Sequence, residues 1–279
     1  MTRGEALAPP RACRTIEVDG RAIETRSIAG RIPGAPTLVL LHEGLGCVAL
    51  WRDFPERLAT ATGCGVFAYS RLGYGGSDPR PLPWPRDYMQ QEGREGLGRV
   101  LAAAGIDTCV LFGHSDGASI ALVHAGSARD SRVKGVIVMA PHVFTEAAGL
   151  ASIRMAQTAF VTGDLRARLA KYHGANVDCA FRGWCDSWLH PDFVHWNIEA
   201  FLGAIQVPLL QIQGEDDQYG SVAQLEAIAR QVAGPVDTHV LAACRHAPHV
   251  EQPERTLALV KDFVFARIQA GEKDPRMAG

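Results

Sequence analysis

The sequence predicts an α/β protein, with a mostly parallel central sheet flanked by helices and a helical cap inserted before the last strands. Three observations carry that expectation. Short, continuous apolar runs at 37–41, 66–69, 108–112, 133–139 and 208–213 read as strands covered on both faces. Segments of helical spacing alternate with them, the order that builds a parallel sheet. Between 142 and 205 the alternation stops, and helical stretches rich in Trp, Phe and His take its place. The expected division is therefore a core of residues 1–141 and 206–279, with a cap, or lid, of 142–205.

Taken in order, residues 1–12 read as a loose tail. Residues 15–18 and 21–27 alternate around Asp19-Gly20, which predicts a β-hairpin with a tight turn. The run at 37–41 ends in the loop His42-Glu43-Gly44-Leu45-Gly46, and a helix over 51–60 follows with Trp51, Phe54 and Leu58 on one face. The strand at 66–69 leads into the turn-rich stretch 70–79 and a proline-rich connection. A helix is expected over 88–104, the next strand over 108–112, a helix over 115–126 and a strand over 133–139. After the cap come a strand at 208–213, a helix at 222–232, a strand at 237–241 and a last helix at 253–269.

Composition bounds the function classes. With 279 residues, 47% of them hydrophobic and 21% charged, the chain can bury one large core. The formal net charge is −2 and Lys and Arg form no stripe, which argues against nucleic acid or an anionic membrane as partner. No apolar stretch is long enough for a signal peptide or a membrane span, so a cytoplasmic location is expected. A small-molecule substrate is the expected partner, and a homodimer is compatible with the sequence. Seven cysteines without paired spacing read as reduced, mostly buried thiols.

The chemistry is expected at Gly113-His114-Ser115-Asp116-Gly117, where a buried strand turns sharply into a helix. Glycines on both sides leave room for a strained serine, and the free N–H groups of the new helix favour negative charge beside its hydroxyl. Ser115 is therefore the candidate nucleophile. Serine needs a base, and the base needs an acceptor that holds its tautomer. Glu215, Asp216 and Asp217 follow one later strand, and His246 and His249 follow the next. All lie where open α/β sheets form their sites, at the carboxyl edge.

These segments resemble the α/β-hydrolase fold over roughly residues 15 to 270. The turn around Ser115 matches the family's nucleophile elbow, and Gly214-Glu215-Asp216-Asp217 is similar to its G-x-x-D, whose last residue is the acid. Arg245-His246-Ala247-Pro248, followed by Glu251-Gln252-Pro253, resembles the ending that carries the base. The resemblance implies a triad of Ser115, Asp217 and His246 in the order this fold uses. It further implies an oxyanion hole of two backbone N–H groups, one from Asp116 and one from Gly44. Glu43 departs from the family's usual glycine. No cofactor is implied.

The implied activity is a serine hydrolase that cleaves a small, hydrophobic or aromatic carboxylic ester through an acyl-serine intermediate. Thioesters, lactones and carbon–carbon bonds are alternatives for the same triad. An acyltransferase, a perhydrolase or a ligand-sensing protein are rivals of other classes. Around the serine, His114, Glu43, Trp184 and Trp188 are candidate substrate contacts. Glu43 reads either as a buried carboxylate paired with an arginine such as Arg71, or as part of an acidic rim shared with Asp116. Phe181, Trp184 and Trp188 share a helix face and could be lid core or substrate surface. His42 reads as a structural residue bonded to loop backbone. Cys179, Cys185, His190 and His195 match no zinc spacing, so no metal is expected.

Overall fold

A computed structural model describes residues 13–269. Eight strands, β1 (Arg14–Val18), β2 (Arg21–Ile28), β3 (Thr37–Leu41), β4 (Val66–Tyr69), β5 (Cys109–His114), β6 (Val133–Met139), β7 (Leu209–Gly214) and β8 (Val236–Leu241), form one sheet in the order β1-β2-β4-β3-β5-β6-β7-β8. β1 and β2 run antiparallel to their neighbours, and every pairing from β4 to β8 is parallel. Asp19 and Gly20 both have positive φ, the backbone a two-residue hairpin turn demands.

The helices are α1 (Phe54–Thr62), α2 (Tyr88–Gln91), α3 (Leu97–Ala103), α4 (Asp116–Ser127), α5 (Ala147–Thr162), α6 (Leu165–His173), α7 (Val177–Trp188), α8 (Ala223–Gln231), α9 (Pro248–Glu251) and α10 (Pro253–Phe263). Alternate strand residues feed two apolar layers. Leu38, Leu40, Val110, Phe112, Ile137 and Ile212 pack with Phe54, Leu58 and Val260, while Val39, Leu41, Leu111 and Val138 pack with Leu101, Ile120 and Leu122. No helix among the described residues is long and apolar enough to cross a membrane.

Three helices differ from expectation, the last of them, over 253–269, by passing from α10 into a π turn over Val264–Gln269. Residues 88–104 are not one regular helix, because a π turn over Glu92–Gly96 separates α2 from α3. Gly93 sits there against α4, where a Cβ would lie 2.7 Å from Val123, and its carbonyl accepts from His124 Nδ1 at 2.8 Å. The widened turn frees a carbonyl and the histidine takes it. Trp51 belongs to a 3-10 turn, Val48–Trp51, ahead of α1, although it shares a buried layer with Phe54 and Leu58 as the spacing suggests.

α5, α6 and α7 fill the interval between β6 and β7. Polar pins tie them to the loops after β3 and β4. His173 Nδ1 accepts from Gly75 N at 3.0 Å and its Nε2 donates to the Leu45 carbonyl at 2.9 Å. Asn176 Nδ2 donates to the carbonyls of Gly75 and Ser77. The helical segment is thus attached over the carboxyl edge of β3 and β4.

Candidate active site

Ser115 joins β5 to α4 with φ 53° and ψ −118°, a conformation that costs on the order of 1–3 kcal/mol for a residue with a side chain. The flanking glycines permit it. A Cβ on Gly113 would overlap Gly117 O and Ala118 Cα, and one on Gly117 would overlap Leu41 O and come within 2.6 Å of His42 O. The start of α4 therefore presses directly on the end of β3. Ser115 N donates to Met139 O at 2.9 Å, which ties the turn to β6.

Ser115 Oγ lies 2.9 Å from His246 Nε2, and His246 Nδ1 lies 2.8 and 2.9 Å from the two carboxylate oxygens of Asp217. Nδ1–H donation to Asp217 leaves Nε2 as an acceptor facing the hydroxyl. Burial works to raise the Asp217 carboxyl, but bonds from His246 and from Tyr219 N outweigh it and hold the group below the usual carboxylate range. Gln213 Nε2 adds a long contact at 3.4 Å. Asp216 points away as an exposed residue, its amide bonded to Cys244 O. Gly214 lets the β8 loop approach, since a Cβ there would overlap the carbonyls of Cys244 and Arg245.

His249 sits elsewhere. Its ring packs on Trp51 and Phe54 at 5.0 and 5.3 Å, and burial lowers it to about 4. His114 donates from Nε2 to the His246 carbonyl at 2.8 Å and is held neutral by burial, so it braces the base's backbone as well as bordering the cavity. His42 accepts from Arg71 N at 3.1 Å through Nε2 and bonds the Glu43 carbonyl through Nδ1, which is the structural role expected of it.

A cavity of about 430 Å³ opens above Ser115, bordered by Glu43, Gly44, Asp116, Trp184, Trp188 and Tyr219. Asp116 is the first residue of α4, so its N–H has no partner within the helix. Gly44 touches the Trp184 indole so closely that a Cβ would overlap Nε1 and Cδ1. The aromatic stripe divides. Phe181 stacks on Phe160 with ring centroids 3.7 Å apart inside the helical segment, whereas Trp184 and Trp188 face the cavity.

One expectation about acids needs correction. Glu43 is not paired with Arg71 through its carboxylate. The guanidinium donates to the carbonyls of His42 and Glu43, and Glu43 Oε2 instead accepts from Leu45 N at 2.7 Å. Burial raises the Glu43 carboxyl to about 7. Asp116 borders the cavity together with Glu43, and its carboxylate is also a buried anchor that accepts from Tyr88 OH and from Trp188 Nε1, the latter at 3.2 Å, while burial raises it.

Among the lining residues that the sequence reading did not single out are His142, Tyr219 and Glu146. His142 follows β6 with its ring 5.8 Å from that of His246, and burial lowers it to about 4. Tyr219 places its ring 4.6 Å from His246. Glu146 bonds Ser221 and Gln224 at the cavity edge. His142 directly follows the Ala140-Pro141 strand end, a position that could have marked it. Among the described residues, no group of three or more His, Cys, Asp or Glu side chains could hold a metal ion.

A family model described as the alpha/beta hydrolase family matches residues 38–259. A curated relative, the carboxylesterase YbfK of Bacillus subtilis (strain 168), is 26% identical over 272 residues, covering 90% of this chain and 88% of the relative. Among solved structures, the proline iminopeptidase of Mycobacterium smegmatis aligns with a TM-score of 0.72 at 20% identity, over 93% of this chain and 100% of that one. The esterase RhEst1 from Rhodococcus sp. ECU1013 aligns with a TM-score of 0.70 at 19% identity, over 92% and 100%.

Proposed function

The chain belongs to the alpha/beta hydrolase family, and from that premise we propose that it is a serine esterase acting on a small, hydrophobic or aromatic carboxylic ester. The observation that carries this reading is the hydrogen-bonded line from Ser115 Oγ through His246 to Asp217. In the proposed reaction Ser115 Oγ attacks the acyl carbon while His246 Nε2 takes its proton. Asp217 steadies the resulting imidazolium. The negative charge that builds on the acyl oxygen is met by the N–H groups of Gly44 and Asp116. His246 then returns the proton to the departing alcohol, leaving an acyl-serine. Water, deprotonated by His246, attacks that acyl group and Ser115 leaves with a proton.

Residues 142–205 act in this reading as a cap over a core of 1–141 and 206–279. Trp184 and Trp188 then shape the space for the acyl or alcohol part. The carboxylesterase relative supports an ester bond ahead of thioester, lactone or carbon–carbon cleavage. The test is hydrolysis of p-nitrophenyl esters from acetate to benzoate by the wild type and by Ser115→Ala. Turnover that disappears in Ser115→Ala agrees with the proposal, and equal turnover in both contradicts it.

A further inference from the structure

We propose that the cavity above Ser115 receives substrates that carry a positively charged nitrogen, held against the Glu43 carboxylate and the aromatic walls of Trp184 and Tyr219. This names a substrate class for the esterase reading and rests on it. The first support is how Glu43 is set. Its Oε2 accepts from Leu45 N at 2.7 Å and lies over Gly46, where a Cβ would come within 2.6 Å of that oxygen. Arg71 spends its guanidinium on the carbonyls of His42 and Glu43. Oε1 has no hydrogen-bond partner among the described residues, on a side chain that borders the cavity.

The second support is the charge of the wall. Glu43, Asp116, Glu146 and Glu251 border the cavity against one guanidinium, Arg245, whose own partner is Glu251 at 3.7 Å. Asp116 is held by Tyr88 and Trp188, and Glu146 by Ser221 and Gln224, so Glu43 is the carboxylate with capacity to spare. The wall imidazoles His114 and His142 are kept uncharged by burial and supply no competing cation. Third, indole and phenol faces attract cations.

Burial that raises Glu43 to about 7 sets the pH dependence. The charged or titratable groups around it are Arg71, His42, Cys47, Tyr74, His114, Asp116, Tyr219, His246 and His249. A bound cation favours ionised Glu43, so cation preference should strengthen as pH rises through about 7.

The experiment uses choline and its uncharged isostere 3,3-dimethylbutanol, because the quaternary charge does not titrate. Binding to Ser115→Ala is measured by calorimetry at pH 6 and pH 8, with and without Glu43→Gln, and the two acetate esters are compared kinetically in the wild type and Glu43→Gln. Glutamine keeps an oxygen for Leu45 N. A charge brought within a few ångströms of a half-buried carboxylate should favour choline about tenfold or more at pH 8. The preference should shrink at pH 6 and largely vanish with Glu43→Gln. Equal binding at pH 8, a preference that survives Glu43→Gln, or a variant that only melts earlier overturns the cation site. Choline preference without turnover of either ester sinks the hydrolase reading and leaves the site standing. Equal turnover of both esters does the reverse.

Discussion

Gly44 and Trp184 are in contact with no space for a methyl group between them: a Cβ on Gly44 would overlap the indole Nε1 and Cδ1. The loop after β3 and the helix α7 therefore fix each other at the cavity. Gly44→Ala must displace one of them, and overpacking of this kind costs about 1–3 kcal/mol. If Gly44 N–H meets the developing oxyanion, kcat for a p-nitrophenyl ester should also fall on the order of 10²-fold. Steady-state kinetics beside a melting curve checks both, and full activity in a destabilised Gly44→Ala would remove Gly44 from the oxyanion hole.

The elbow makes a prediction about stability. Ser115 holds φ 53° with a side chain in place. Ser115→Gly should melt later than Ser115→Ala, by about 1 kcal/mol in urea titrations, because only glycine relieves the strain. Both should be inactive. Equal stability of the two variants would mean that the turn is not strained.

His246 and His249 should separate cleanly. His246→Ala should remove activity. His249→Phe should keep ester hydrolysis within a few-fold, since that ring packs on Trp51 and Phe54 and its Nδ1 has no partner. The pH dependence has a definite sign. In the folded chain His142 and His249 are lowered to about 4, so between that value and about 6.5 the unfolded chain binds more protons. Their contribution to stability is present above about 6.5 and is lost as pH falls toward 4. Each imidazole should cost on the order of 2 kcal/mol between pH 7 and pH 5. Urea unfolding at those two pH values should show a smaller drop for His249→Phe than for the wild type, and an equal drop would contradict the assignment.

Thiol reagents should do little to the site. Cys47 and Cys244 flank the loops that carry Gly44 and His246, yet both are buried and burial pushes them up to about 12 and about 11. At pH 7.5 almost none of either is thiolate. Iodoacetamide should label exposed Cys13 and leave ester turnover intact, as peptide mapping and a residual-activity assay would show.

The strands and the Ser115, Asp217 and His246 segments were legible because each is local: an apolar run, a turn held by glycine, a residue at a strand's end. What the sequence concealed depends on convergence. His142 and Glu146 come from the loop after β6 and Tyr219 from the loop after β7, and only the pairing of β6 with β7 brings them to one cavity. The π turn at Glu92–Gly96 hid because the residues it meets, Val123 and His124, lie on another helix. Glu43 was readable as unusual, and the expected arginine was nearby. Which of its groups Arg71 would meet depends on loop geometry, and the guanidinium found carbonyls.

The most direct test of the central claim is intact-mass and peptide-level mass spectrometry after incubation with a fluorophosphonate. The account predicts one phosphonyl adduct per chain, located on Ser115, absent from Ser115→Ala and strongly slowed in His246→Ala. No adduct on the wild-type chain, or an adduct that persists in Ser115→Ala, would contradict it.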